Sequence, residues 1–124
     1  MTAEEEELAN KAFEEKHCYA IYYTEAQINS YLRFYEGLIR PNMHNFVDPS
    51  DNHKFEINEW AEFKAVNARV ARRVQQVRSM VNSNTIWIHG DQLMLVPYYV
   101  RQCEKQTANM GVYFHQAFPA SAVF

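Results

Sequence analysis

Two histidines and one aspartate are the side chains in this sequence best suited to chemistry. His89 and His115 each end a short apolar run, and Asp91 follows the first histidine by two residues. Imidazoles and a carboxylate can exchange protons, bind a hydroxyl group or coordinate a metal ion. The pattern offers no further strong ligand beside these three, which favours hydrogen-bonding side chains. We therefore predict no metal site.

The elements on either side must position these residues. Thr85–His89 is continuously apolar, as buried parallel strands are, and Met110–His115 is predicted to be the next strand. Between them, residues 93–100 have the apolar content of a helix. Strand, crossover helix and strand form a βαβ unit, so the sequence predicts an α/β fold with a parallel sheet. Such folds bind ligands at the carboxyl edge of the sheet, where both histidines are expected.

The first part of the chain is predicted to begin with a helix. Residues 4–16 are charged with a narrow apolar stripe, and residues 18–23 indicate either a short strand or an extended lead-in. Thr24 can cap a second helix, with Gln27 reaching back to its start. Helical spacing then continues until Pro41, which is predicted to stop it.

A longer helix follows an irregular segment. Residues 41–58 are crowded with proline, asparagine and aspartate, which predicts turns. From Trp60 to Val81, apolar residues recur on one helical stripe, and residues 82–84 end the helix. Off that stripe lie four arginines: Arg69, Arg72, Arg73 and Arg78. They could touch phosphate or RNA, but the acidic chain favours a solvated helix face or an acidic neighbour.

Composition excludes several classes of protein. The 124 residues suffice for one compact domain, and the formal net charge of −3 gives no electrostatic reason to bind nucleic acid. No apolar run approaches the roughly 20 residues that span a bilayer, and the acidic run Glu4–Glu7 fits no secretory signal. We expect an intracellular protein, cytoplasmic by default, with a mitochondrial or other organelle assembly left open. Cys18 and Cys103 are expected to be reduced and buried.

Several segments together carry a resemblance to one family. Residues 84–97 (NTIWIHGDQLMLVP) resemble the motif WVHDYHLMLLP of the trehalose-6-phosphate synthases, which are family 20 glycosyltransferases. Residues 111–124 (GVYFHQAFPASAVF) resemble the companion motif GFFLHIPFPSSEIF. Upstream, residues 31–44 resemble YYNxFSNxxLWPxFHY, and Trp60 with the later Val-Asn pair resembles W-x-x-Y-x-x-VN. The likeness covers roughly residues 20–124, in the family's order and spacing.

The resemblance implies a fold and a division of the chain. The family has two Rossmann-like domains, with the acceptor glucose 6-phosphate on the N-terminal one and UDP-glucose held mainly by the C-terminal one. By this likeness, residues 20–124 form a truncated, partial Rossmann-like domain, half of a two-domain glycosyltransferase B-type fold. Residues 1–19 form an acidic N-terminal segment that can be helical.

The resemblance also assigns individual positions, some kept and some replaced. The tyrosine that helps hold the acceptor phosphate falls on Tyr31, and the histidine next to the reacting centre falls on His115. A substrate-contacting tryptophan falls on Arg40. The aspartate that binds the acceptor hydroxyls falls on Gly90, which has no side chain to accept a hydrogen bond. His89 is implied to be a hydrogen-bonding remnant of the same site.

Three further positions depart from the family pattern. The tyrosine and histidine after the lost aspartate fall on Asp91 and Gln92, and the glutamate of the second motif falls on Ala122. Asp91 could replace the lost carboxylate only if its loop rearranged. No glycine-rich loop for donor phosphates occurs in the sequence, so no cofactor or nucleotide sugar is expected to bind in the family's way.

The sequence thus favours a non-catalytic structural or accessory subunit that acts through protein–protein contacts in a larger assembly. The chain stops directly after a strand, which predicts exposed apolar surface for partner subunits. Two alternatives stay open. One is a segment of an active or split synthase, which transfers glucose from UDP-glucose to glucose 6-phosphate. The other is a regulatory subunit that binds glucose 6-phosphate weakly through Tyr31, Arg40 and His115.

Overall fold

A computed structural model of the chain describes residues 2–44, 54–83, 85–103 and 108–119. Helices precede and connect two strands across these ranges. In chain order the elements are α1 (Ala3–Glu14), α2 (Glu25–Phe34), a π-helical turn (Tyr35–Ile39), α3 (Arg40–Met43), α4 (Ile57–Val81), β1 (Thr85–His89), a 3-10 turn (Asp91–Leu93), α5 (Val96–Cys103) and β2 (Asn109–Tyr113). Ala122 lies outside the described residues, as do residues 45–53.

The two strands form the predicted parallel pair. Thr85 lies opposite Asn109 and His89 opposite Tyr113, with α5 as the crossover helix between the strands. The βαβ unit and the α/β fold class are therefore confirmed. β2 ends at Tyr113, two residues earlier than predicted. Tyr113 pairs with His89, the last residue of β1, so the residues after Tyr113 have no strand partner in β1. His115 consequently follows the strand and does not end it.

The crossover helix also begins later than predicted. A 3-10 turn occupies the positions next to the sheet, and α5 starts at Val96. Pro97 lies in the first turn of α5, where a missing backbone N–H removes no intrahelical hydrogen bond.

Two hydrophobic clusters hold the elements together. The sheet cluster joins β1, α5 and the middle of α4, and its buried members are Ala71, Ile86, Ile88, Val96, Val100 and Ala108. The aromatic cluster joins α2 to the first half of α4, and its buried members are Tyr31, Phe34, Tyr35, Phe63 and Val66. Helix α4 contributes to both, so its apolar stripe positions the sheet against α2.

The ring contacts in the aromatic cluster are close. Phe63 is fully buried, and its ring centroid lies 5.2 Å from that of Phe34 and 5.4 Å from that of Tyr31. Aromatic pairs at such distances contribute about 0.5–1.5 kcal/mol each beyond their buried area. The cluster therefore fixes the face of α2 that carries Tyr31.

Pro41 does not stop the second helix, which corrects the sequence prediction. The backbone widens into the π-helical turn, in which the N–H of Arg40 donates to the carbonyl of Tyr35, and α3 then continues to Met43. The side-chain amide of Asn42 donates to the carbonyl of Leu38 at 2.6 Å. This irregular turn accommodates a proline that has no N–H to donate.

Other boundaries follow local signals in the sequence. Thr24 and Gln27 form the predicted capping box, and Asn82 ends α4 in the left-handed conformation with φ of 50°. Residues 18–23 belong to no helix or strand, so the short strand that was one of the two predictions for them does not form. The segment 41–58 was predicted to be irregular throughout, yet α3 and the start of α4 extend into it.

Two further expectations concern surface and membrane. Cys18 is exposed, contrary to the prediction, because it follows α1, which contributes no buried residue to the core. The Cys103 side chain is outside the described part of the structure. Among the described helices, none combines the length and the apolar content needed to cross a bilayer.

Candidate functional site

Gly90 leads the chain away from the carboxyl end of β1. Its backbone has φ of 86° and ψ of 157°, a region that only glycine occupies without strain. Its N–H donates to the carbonyl of Tyr113 at 2.9 Å, which ties the turn to the end of β2. A Cβ atom at this position would overlap the side-chain oxygen of Gln92. The exposed Gln92 side chain can turn away, but the positive φ still disfavours any side chain, and hence a carboxylate, at position 90.

Asp91 points into the protein and not toward solvent. Only 3% of the residue is exposed, and its Oδ1 accepts a hydrogen bond from the Tyr35 hydroxyl at 3.1 Å. Its Oδ2 is shielded from solvent and has no hydrogen-bond partner among the described residues. Burial, together with the Asp91 charge, raises the pKa of Tyr35 to about 12. The carboxylate is thus held by the aromatic cluster.

The backbone carbonyl of Gln92 is the centre of a buried hydrogen-bond network. It accepts from the Tyr31 hydroxyl at 3.2 Å and from the side-chain amide of Asn67, also at 3.2 Å. The fully buried Asn67 also donates to the carbonyl of Phe63 and accepts from the N–H of Leu95. Burial is the main cause that raises the pKa of Tyr31. The Tyr31 hydroxyl therefore has a structural partner.

His89 and His115 lie together on the exposed side. Their ring centroids are 5.6 Å apart and nearly parallel, and Tyr113 meets His115 edge to face at 5.0 Å. Both histidines are exposed. His89 ends β1 and His115 follows the end of β2 by two residues, so both lie at the carboxyl edge of the sheet, where the sequence predicts them. That they belong to a ligand site stays a prediction.

Arg40 lies on the surface next to the buried carboxylate. Its guanidinium forms an ion pair with Glu36 one helical turn earlier, at 2.6 Å, and this pairing raises the pKa of Arg40. Its charge also lowers the pKa of Tyr35 slightly, against the larger effect of burial, and the Asp91 charge adds to the rise in the pKa of Arg40. Because Arg40 and its partner Glu36 are both exposed, the pair stabilises the fold little.

The arrangement divides the candidate residues into two groups. Tyr31 and Asp91 belong to a buried group, whereas His89, His115 and Arg40 are exposed. In the ranges that the structure describes, no three histidine, cysteine, aspartate or glutamate side chains are grouped closely enough to hold a metal ion. The exposed group consists of two imidazoles and one guanidinium and contains no carboxylate that could bind a sugar hydroxyl.

Sequence reasoning missed two residues that organise the buried group. Tyr35 lies one helical turn after Tyr31 and therefore shares its helix face, which was a usable signal. Asn67 belongs to the Val-Asn pair of the resemblance, and an amide within an apolar stripe indicates a buried hydrogen bond.

Comparison with known proteins adds to this geometry. The model of glycosyltransferase family 20 matches residues 1–124. Two regulatory subunits of the trehalose synthase complex from Saccharomyces cerevisiae are each 33% identical to the chain over 96 residues, which is 77% of this chain and 9% or 8% of the relative. An alpha,alpha-trehalose-phosphate synthase [UDP-forming] from Dictyostelium discoideum is 29% identical over 124 residues, which is 98% of this chain and 15% of the relative. The chain thus spans only between 8% and 15% of the length of these relatives.

Proposed function

Because this chain belongs to glycosyltransferase family 20, we propose that it acts as a non-catalytic accessory or regulatory domain within a larger assembly. The domain is trehalose-6-phosphate synthase-like in sequence and in fold. The observation that carries the proposal is the backbone of Gly90, whose positive φ disfavours a side chain where the family has its acceptor-binding aspartate.

The neighbouring carboxylate does not compensate for this loss. Asp91 is buried and already accepts from Tyr35, so turning it toward a sugar would break that bond and rearrange the loop. Leaving a buried hydroxyl without its partner costs about 1–3 kcal/mol. Glycosyl transfer needs charged groups preorganised around the transition state, and these residues instead support the fold.

An exposed sheet face supports a role in protein–protein contacts. The side of the sheet opposite the sheet cluster carries Trp87 and Tyr113, and 61% of Trp87 is exposed. The indole of Trp87 packs over Gly111, where a Cβ atom would collide with it. Together with the rings of His89 and His115, these residues form what we call the aromatic sheet face. Exposed aromatic patches of this kind usually mark interaction surfaces.

The names of the relatives agree with this role. Two of them are regulatory subunits of the trehalose synthase complex. We infer that this domain likewise contributes to an assembly that contains a catalytic trehalose-6-phosphate synthase.

Co-expression with a trehalose-6-phosphate synthase from the same source tests the proposal. We expect the chain to co-purify with that synthase and to form no trehalose 6-phosphate by itself from UDP-glucose and glucose 6-phosphate. The double variant Trp87→Ala/Tyr113→Ala should weaken the complex while staying folded. Tyr98→Ala, which removes an exposed aromatic from α5, is the matched control and should leave the complex intact. Product formation by the chain alone, or failure to co-purify, contradicts the proposal.

A second candidate function is recognition of a sugar phosphate at Arg40. The exposed guanidinium favours this idea, although Glu36 already pairs with it. Tyr31 would contribute little because its hydroxyl is engaged by Gln92. Calorimetry with glucose 6-phosphate decides between the candidates: heat that disappears in Arg40→Gln supports recognition at this position, and heat that persists in that variant rejects it.

A further inference from the structure

A polar cleft separates α1 from α4 on a part of the molecule that the candidate site does not use. Its volume is about 560 Å³, and residues 20–22, which lie between α1 and α2, form one wall. Three arginines of α4 line it, namely Arg69, Arg72 and Arg73. We propose that this cleft binds the phosphate group of a small phosphorylated metabolite, with Arg72 and Arg73 as its main ligands.

The arginines are concentrated on one face of α4. Arg69, Arg72, Arg73 and the lining residue Gln76 follow the spacing i, i+3, i+4, i+7, which places them side by side along one face. Like charges at these spacings destabilise a helix unless an anion lies among them. Glu6 is the one carboxylate among the described lining residues, so the cleft carries excess positive charge in a chain whose net charge is −3.

Neighbouring tyrosines orient two of the guanidinium groups. Arg69 lies over the ring of Tyr23 at 5.3 Å and donates to the carbonyl of Tyr22 at 2.8 Å. Arg73 lies over the ring of Tyr19 at 5.7 Å. Cation–π contacts of this kind favour particular positions of the guanidinium over the ring. Two of the three arginines are therefore held beside the cleft before any anion binds.

Some of the donors on these side chains have no acceptor. The Nε–H of Arg73 is shielded from solvent and has no hydrogen-bond partner among the described residues. Arg72 is exposed, and no hydrogen bond or ion pair joins it to any residue in the described ranges. A phosphate with three terminal oxygens could accept from Arg72 and from the terminal N–H groups of Arg73, and it would reach the shielded Nε–H only if the Arg73 side chain turned. Gln76, which already accepts from Arg73, could donate its amide to the same group.

The shape and charge of the surroundings favour a small ligand. The cleft is open to solvent and polar, and its volume of about 560 Å³ has room for a small phosphorylated molecule. The first turn of α1 is acidic and places Glu6 in the cleft wall. An extended polyanion such as RNA would have to pass this acidic helix, whereas a single phosphate group would not. The cleft shares no residue with Tyr31, Arg40 or His115, so the inference does not depend on the proposed function.

Calorimetry on the whole chain, with inorganic phosphate and glucose 6-phosphate as probes, tests the inference. We expect binding at millimolar concentration or below, with chemical-shift changes at the side-chain Nε–H groups of the cleft arginines. Arg72→Gln should weaken binding about tenfold, since it removes charge-assisted hydrogen bonds. Arg72→Lys keeps the charge but loses the paired donors, so it should weaken binding by a smaller factor. Lys64→Gln removes one charge from α4 outside the cleft and should leave binding within about twofold of the native chain.

Four results would overturn the inference. They are no heat with either probe on folded protein, equal weakening by Arg72→Gln and Lys64→Gln, loss of binding only in Arg40→Gln, and tighter binding of a single-stranded RNA than of phosphate. Loss only in Arg40→Gln would place the ligand at the second candidate site instead. Thermal unfolding of each variant shows whether it is folded, and Arg72→Gln should be, because Arg72 bonds to no described residue.

Discussion

The two groups of candidate residues have different physical surroundings. Tyr31 and Asp91 are enclosed by the aromatic cluster and held by hydrogen bonds from one element to another. His89 and His115 stack on each other in solvent, and their other ring contacts in the described ranges are with the exposed Trp87 and Tyr113. The comparison teaches that residues from one implied binding site can separate, some becoming part of the core and some staying on the surface. Stability measurements can therefore distinguish the two groups.

The largest effect is expected at the centre of the buried group. Asn67→Ala leaves the N–H of Leu95 without its acceptor and removes one donor from the carbonyl of Gln92. We expect the free energy of unfolding to fall by about 2–4 kcal/mol, measured by urea denaturation. Asn29→Ala, on the exposed surface of α2, is the control and should change stability by less than about 0.5 kcal/mol. Equal losses in both variants would mean that the network contributes nothing.

Alkaline pH should destabilise the same group. The pKa of Tyr35 is raised to about 12, and burial raises the pKa of Tyr31 further. In the unfolded chain, tyrosines lose their protons near pH 10, so above that pH the folded state binds more protons and its stability falls as pH rises. At pH 11, each of the two raised pKa values should lower the free energy of unfolding by about 1.4 kcal/mol relative to pH 9.

Urea denaturation at a series of pH values measures this effect. Tyr35→Phe removes one titrating group, so its stability should decline less steeply above pH 10 than that of the native chain. A decline of the same steepness in the variant would show that Tyr35 is not a source of the effect.

The turn after β1 gives a smaller expected change. Gly90→Asp places a side chain on a backbone with positive φ and against Gln92, which should cost about 1–3 kcal/mol. We also expect no glucosyl transfer from this variant, because one added carboxylate does not supply the other groups that stabilise the transition state. Gly37→Ala, in the π-helical turn, is the matched control and should be tolerated. A native-like Gly90→Asp would contradict the role given to this backbone.

The smallest change is expected in the exposed group. His115→Ala removes a ring that stacks only on other exposed rings, so thermal unfolding should show a loss below about 0.5 kcal/mol. His44→Ala, another exposed histidine, provides the comparison. A loss at His115 as large as that of Asn67→Ala would remove the distinction between the groups.

Much of the fold could be predicted from the sequence because its elements have strong local signals. Helix α4 has a long apolar stripe, and Thr24 and Gln27 form a capping box within four residues. The π-helical turn could not be predicted, since helical periodicity continues through it and proline usually ends a helix. The division of residues between 1–19 and 20–124 stays a prediction.

The candidate site was less predictable, because its hydrogen bonds join residues that are far apart in the sequence. Asp91 is buried because Tyr35 donates to it across 56 positions, and Tyr31 reaches Gln92 across 61. No local pattern encodes such pairs. That these positions belong to one site stays a prediction of the resemblance, and which of them face solvent depends on how α2 packs against α4.

The carbonyl of Gln92 has one more consequence. Every amino acid at position 92 would present the same main-chain oxygen to Tyr31 and Asn67, so mutation there can alter the side chain and preserve the joint between helices and sheet. Glutamine in place of the family's histidine therefore changes the side chain but leaves the hydrogen-bonding carbonyl unchanged. Substitutions of Tyr31 or Asn67 should break these hydrogen bonds, whereas substitutions at position 92 should preserve them.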